Sequence, residues 1–482
     1  MAELHDLSAQ AQCAALRCRE ISSCELTAHY LARIERHGAA LGAFVAVFAE
    51  QAMDAARQAD ARPAQGLLHG LPLPLKDLHP TAGLPTSLGS AAIAGWVPAQ
   101  DGAVVARLRQ AGIIVIGKTH APEFGPCCYT ESQLAPPALS PYGRGLSASG
   151  SSGGAAAAVA AGLAPLAHAS DGLGSIRTPA ANCGLVGIKP SRGRIPSVLP
   201  AWFQLGLEGP VARTVGDAAL FLDAIGAIGP GEIWRQPPWA PDAHRAAARR
   251  PPPGRLRVGL LTDPGTDEAT AHADCLQACA EAAQALQALG HEIVPLVLPP
   301  ALRIWALLEP LCDVIGVSLA LHVQAQVPPA RQAALMPYTR WYVERAATTT
   351  GMRYAQAMAR LSAAASAWLK WQSGVDLLLT PTSSAPALPS GALRLDDGWA
   401  SSEAMLRWSA FTPWANFCGA PAISLPVHQT AAGLPVGVQL MAMPGQDHAL
   451  LAIAGELEQV FAWQLRHPPV WSVDQIPDQA SG

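Results

Sequence analysis

From Leu67 to Ala227 the chain alternates short apolar, β-branched runs with stretches of helical periodicity, and this alternation narrows the fold more than any other feature. Strands separated by helices are buried on both faces, so they belong in a sheet covered by helices on each side. Ile113-Ile114-Val115-Ile116 reads as one such strand, preceded by a helical pattern from Val104 to Ala111. Prolines at 230, 237, 238, 241 and 251–253 exclude a continuous helix or strand over residues 228–254. Beyond this connection a βαβ unit is expected: a strand at Leu256–Leu261, a helix at Glu268–Leu289 and a strand at His291–Val294. Residues 1–65 are expected to be helical, because Ser22 and Glu25 form a capping box and Leu26, Tyr30 and Ile34 follow at helical spacing. This piece is expected to pack on the core or on a second subunit, which leaves a homodimer open.

Composition sets the size of the problem. With 482 residues, 50% of them hydrophobic, and mean hydropathy +0.20, the chain can bury a large core as one α/β unit or two closely packed lobes. A net charge of −4 and a pI near 6.4 offer no basic surface of the kind that binds nucleic acid. Ten cysteines occur without metal-ligand spacing, so they are expected to be reduced thiols packed as small hydrophobes, with no zinc. Met1–Asp6 lacks the basic start and apolar core of a secretion signal. The run Ala155–Ala167 contains Gly162 and Pro165 and is too short to cross a bilayer. The expectation is a cytoplasmic protein with no membrane attachment.

The chemistry is concentrated in three places. Ser149-Gly150-Ser151-Ser152-Gly153-Gly154 runs into an alanine helix, a glycine-flanked Ser175 follows in Asp171-Gly172-Leu173-Gly174-Ser175, and Lys76 closes the apolar run Leu71–Leu75. A serine hydroxyl is a weak nucleophile and must pass its proton to a base. Lysine serves only when neutral, which requires burial to pull its pKa down from about 10.4. Gly172 and Gly174 let the backbone turn tightly and aim N–H groups inward, as an oxyanion hole requires. Taken singly, each has an ordinary alternative. Ser151 and Ser152 read as linker or helix-capping residues, Lys76 as the partner of a carboxylate, and Asp171 and Arg177 as braces of the loop.

Together, these residues fall in a stretch that resembles the amidase signature family. The similarity rests on Leu75-Lys76-Asp77-Leu78, Gly83-Leu84-Pro85-Thr86, Gly117-Lys118-Thr119, Pro122-Glu123-Phe124, Gly150–Gly154, Gly174-Ser175-Ile176-Arg177, Gly184–Pro190, Gly209–Thr214, Gly419–Pro426 and Gly433–Gln439. It covers most of the chain except roughly 228–375 and implies a single domain over residues 1–482. The resemblance implies an α/β fold with a large mixed, mainly parallel central sheet covered by helices on both faces. It also implies a Ser-cis-Ser-Lys triad, in which Ser175 attacks, Ser151 relays the proton through a cis peptide bond after Gly150, and neutral Lys76 is the final base. Backbone N–H groups of Gly172, Leu173, Gly174 and Ser175 would hold the oxyanion, and Gly125, Pro126 and Cys127 would border the acyl pocket. The variable, substrate-facing segment would be the helical stretch 301–373, where Trp305, Trp341, Tyr342, Trp368 and Trp371 are core anchors or pocket walls. No cofactor is implied.

Leu173 departs from the family pattern, which favours glycine there; leucine is expected at negative φ, with its side chain lining or narrowing the pocket. His120 and Ser140 stand where asparagine is common. Two further pattern matches point elsewhere. Gly112–Thr119 satisfies the Walker A expression, but its intervening residues read as a buried strand, whereas a phosphate cradle needs a loop between strand and helix. Gly150–Gly154 satisfies the nucleophile-elbow expression with Ser152 as nucleophile, yet Pro136–Gly145 before it reads as loop rather than strand. The expected activity is therefore hydrolysis of a small-molecule carboxamide through an acyl-enzyme, with esters and carbamates (urethanes) sharing the same carbonyl chemistry. The alternative is a glutamine-hydrolysing amidotransferase subunit working with partner subunits.

Overall fold

The β-branched run from Ile114 continues through Gly117-Lys118-Thr119 as one buried strand, so the Walker-like residues lie inside a sheet. The computed structural model describes residues 3–196, 205–226, 228–229, 231–266 and 270–472; Pro230 and Glu268 lie outside them. In chain order the strands are β1 (Phe44–Val47), β2 (Pro72–Lys76), β3 (Ile114–Thr119), β4 (Leu166–Asp171), β5 (Val186–Lys189) and β6 (Leu207–Ala212). They continue with β7 (Arg257–Leu260), β8 (Glu292–Pro295), β9 (Leu377–Pro381), β10 (Ala422–Gln429) and β11 (Pro435–Ala442). Among the described residues, β1, β3 and β2 form a small sheet, and the other eight run in the order β4-β6-β5-β10-β11-β9-β7-β8.

Alternate residues of the central strands divide between two cores. Leu377 and Leu379 of β9 join one hydrophobic cluster while Leu378 joins the other, and Val438 and Leu440 of β11 lie opposite Met441 in the same way. A period of two along a strand buried on both faces produces this split. The helices Val215–Ile225, Ala273–Ala288 and Asp447–Phe461 cover one face, and Leu308–Gln326 and Gly351–Gln372 cover the other. The mixed α/β architecture is as expected, but the strand directions differ. Five of the seven neighbouring pairs in the large sheet are antiparallel, and only β7 with β8 and β7 with β9 are parallel. The helical spacing that suggested parallel crossovers does not say which strands become neighbours. Here the β10–β11 hairpin lies between β5 and β9, which reverses the local direction.

Other boundaries also moved. Residues 1–65 supply the helices Ala9–Cys18, Ser23–His37 and Ala49–Asp60, with the Ser22–Glu25 capping box formed, but they also supply β1. That strand borrows β3 as partner, a long-range pairing that local periodicity cannot reveal. The Pro-rich connection holds a short helix, Ala243–Ala248. The helix after Ser175 spans Arg177–Asn182 and includes Thr178. The Thr178 hydroxyl meets the Ser149 hydroxyl and the Gly150 and Gly174 carbonyls. A longer apolar stretch than Ala155–Ala167 exists at Ile304–Gln326, but most of this helix is buried in the fold.

Candidate active site

Lys76 is the last residue of β2 and has no solvent exposure. Its Nζ lies 2.7 Å from Ser151 Oγ, 2.8 Å from Ser152 Oγ, 3.0 Å from Ser170 Oγ and 3.1 Å from the Ser170 carbonyl. Burial lowers its pKa to about 7, against the charges of Asp171 and Glu208, which favour the ammonium form. Among the described residues its side-chain partners are hydroxyls and a carbonyl, not a carboxylate. Ser170 is on β4, Ser151 and Ser152 lie in the turn before the helix Gly153–Ala160, and the Gly150–Ser151 peptide bond is cis. The backbone N–H of Lys76 donates to His168 Nδ1 at 3.3 Å, tying β2 to β4.

Ser175 is half-buried at the cavity wall, and its carbonyl accepts the Ser152 N–H at 3.3 Å, so the two serine turns are laced together. The loop between Asp171 and Ser175 is braced from within. Asp171 accepts the Gly174 N–H at 2.7 Å, the Ile176 N–H at 3.2 Å, and two Arg177 donors at 2.8 and 2.9 Å. Burial alone would raise the Asp171 pKa, but the Arg177 guanidinium outweighs it and holds the carboxyl far below the usual range. Asn416 adds a further donor to Asp171 at 2.9 Å and accepts from Arg177.

The loop amides differ in their partners. The Gly174 amide is taken by Asp171, whereas among the described residues Gly172, Leu173 and Ser175 have no protein acceptor for theirs. Gly174 is needed for another reason: its φ is +131°, and a Cβ there would lie 2.3 Å from Thr412 Oγ1. Leu173 is not at positive φ, and its side chain lines the cavity. Gly125, Pro126 and Cys127 line the same cavity of about 190 Å³, and Tyr342 forms part of its wall. Trp368 is instead stacked on Trp414 in the core.

The elbow reading fails on the same geometry. Ser152 follows loop carrying only isolated bridges, and its hydroxyl is engaged by Lys76 and Ser170. Lys118 is fully buried and donates to the His79 carbonyl at 2.7 Å and to Thr81 at 2.9 Å, so the Walker-like lysine braces a turn.

Sequence reasoning missed two groups. His168 Nε2 lies 2.6 Å from Glu208 Oε2, with His79 Nδ1 at 3.3 Å from the same oxygen. These ligand-type atoms are close enough for a metal ion, but His168 is used on both nitrogens by protein partners, so they fit a hydrogen-bonded cluster better. A signal existed: His168 and Ser170 alternate onto one face of β4. The second group is the set of hydroxyls of Tyr338, Tyr342 and Ser402, which local patterns do not bring together.

A family profile described as Amidase matches residues 25–451. The chain belongs to the amidase signature family. Relatives include the 6-aminohexanoate-cyclic-dimer hydrolase of Pseudomonas sp. (strain NK87), 34% identical over 95% of this chain and 96% of that protein. The acylamidase of Rhodococcus erythropolis is 32% identical over 96% and 98%. A solved 6-aminohexanoate cyclic dimer hydrolase in complex with substrate superposes with TM-score 0.90 at 31% identity, covering 97% of this chain and all of that one. As an amidase signature enzyme the chain is a hydrolase of carbon–nitrogen bonds, and it stands nearer these hydrolases than the tRNA amidotransferase subunit.

Proposed function

We propose that this amidase cleaves carboxamides through a Ser175 acyl-enzyme, with Ser151 relaying the proton and Lys76 as the base. The observation that carries this reading is the dry Lys76 amine at 2.7 Å from Ser151 Oγ. A neutral amine has two N–H donors and one lone pair. The Ser170 carbonyl only accepts. The Ser152 hydroxyl donates to that carbonyl at 3.1 Å, so it too accepts from the amine. With both N–H groups given to these acceptors, the lone pair can accept the Ser151 O–H at 2.7 Å, a shorter contact than that of the competing Ser170 hydroxyl at 3.0 Å. Ser175 Oγ attacks the carbonyl carbon as its proton passes to Ser151 and the Ser151 proton passes to Lys76. The amides of Gly172, Leu173 and Ser175 receive the developing oxyanion. The C–N bond breaks as the proton returns through Ser151 to the leaving amine, and water then releases the acid and restores Ser175. Esters and carbamates pass through the same tetrahedral oxyanion and are included as substrates.

Much of the cavity wall is apolar, with eight leucines, Ile315, Met405 and Phe124 among its residues, which suits an apolar acyl or aryl group better than glutamine. A serine-directed fluorophosphonate followed by peptide mapping tests the assignment. Label on Ser175 is expected, with loss of anilide hydrolysis. Label on Ser152, or turnover of glutamine in preference to anilides, would overturn it.

A further inference from the structure

Away from Lys76, the cavity wall holds a second polar cluster built by different elements: Tyr338 and Tyr342 on the helix Pro337–Thr348, and Ser402 on the helix Gly398–Trp408. Tyr342 Oη lies 3.1 Å from Tyr338 Oη, Tyr338 Oη lies 2.8 Å from Ser402 Oγ, and Ser402 Oγ lies 2.8 Å from the Gly398 carbonyl. A carbonyl oxygen can only accept, so the Ser402 proton goes to Gly398. Tyr338 must then donate to Ser402, and Tyr342 to Tyr338. This is the one placement of three hydroxyl protons that makes all three bonds. Every O–H is directed away along the chain of hydroxyls, and Tyr342 Oη is left with lone pairs and no proton to give.

From this polarity we infer that the cavity carries a subsite for a neutral hydrogen-bond donor at the distal end of the bound substrate, an alcohol O–H or the N–H of a second amide. The inference rests on the Ser175 acyl-enzyme reading and names the substrate class of that site. The surrounding wall is uncharged. Burial raises the pKa of Cys312 to about 11 and of Cys127 to about 12, so the thiols facing these hydroxyls stay protonated. Among the described residues the only carboxylates lining the cavity are Asp171 and Glu208, already engaged by Arg177 and by His168. An ammonium tip would therefore be buried without a counter-ion, which is costly. The Cys312 thiol also neighbours the Tyr342 hydroxyl, and as a weak donor it yields to O–H or N–H. Apolar residues, Leu311, Ile315 and Leu406 among them, share this wall, so a plain chain still enters but leaves the acceptor unused.

The test compares ligand pairs that differ only at the tip, across a graded series of acyl lengths, as anilides with the wild type and as primary amides with Ser175→Ala. At the matching length the hydroxyl-tipped chain should show kcat/KM about three- to tenfold above its methyl-tipped partner, with the same ratio in Kd for Ser175→Ala. Tyr342→Phe should bring both ratios to about one. Ser402→Ala removes the acceptor for the Tyr338 proton and frees it, so a ketone-tipped chain should gain relative to the hydroxyl-tipped one. Ratios near one at every length, ratios unchanged in Tyr342→Phe, or tighter binding of an ammonium-tipped chain would overturn the subsite. If Ser175→Ala still turns over anilides, the acyl-enzyme reading fails, while the Kd ratios still report on the subsite.

Discussion

The proposed base is a single buried amine, and burial sets the pH at which it would work. Because burial lowers the Lys76 pKa to about 7, kcat/KM should fall tenfold per pH unit below that value and level off above it. A pH–rate profile measures this, and a flat profile from pH 5 to 8 would exclude Lys76 as the base. Glu208 favours the charged lysine, so Glu208→Gln should move the acid limb to lower pH, a shift that loss of packing alone would not produce. Lys76→Ala should cost several orders of magnitude in rate and Ser151→Ala less, with thermal denaturation showing the folded state retained. Lys76, Ser151 and Ser175 could be proposed from the chain, because the family resemblance joins short patterns that singly have ordinary alternatives. Ser170 and Glu208 could not, since their importance comes from β4 and β6 lying beside the end of β2.

The turn between β4 and the helix Arg177–Asn182 is a rigid insert whose shape depends on one buried ion pair. Asp171 and Arg177 are both fully buried, and removing one leaves the other uncompensated. Asp171→Asn should therefore destabilise the protein by about 3–5 kcal/mol, read as a lower denaturation midpoint, and reduce kcat by loosening the amides of residues 172–175. Gly174→Ala faces both a positive φ and the Thr412 side chain, so kcat should drop even where the protein remains folded. The glycines of this loop were recognisable in the sequence. Their division of labour was not: Gly174 spends its amide on Asp171, while Leu173 takes the ordinary φ expected of it.

Across the molecule, the N-terminal helices are pinned to the catalytic core. Asp217, fully buried, accepts the Ala9 and Gln10 N–H groups at 3.0 and 2.9 Å and so caps the first helix from two hundred residues away. Asp217→Ala should cost about 1–3 kcal/mol and speed hydrogen exchange across Ala9–Cys18, while exchange in β9 and β11 changes little. Local periodicity was enough to specify the α/β class, the buried strands and the capping box. Those features depend on neighbours within a few positions, where backbone geometry and side-chain spacing act directly. Strand direction, the pairing of β1 with β3, the second polar cluster and the partners of Lys76 came from contacts between distant segments. Such contacts follow from how whole layers pack, and no local pattern encodes which layers meet.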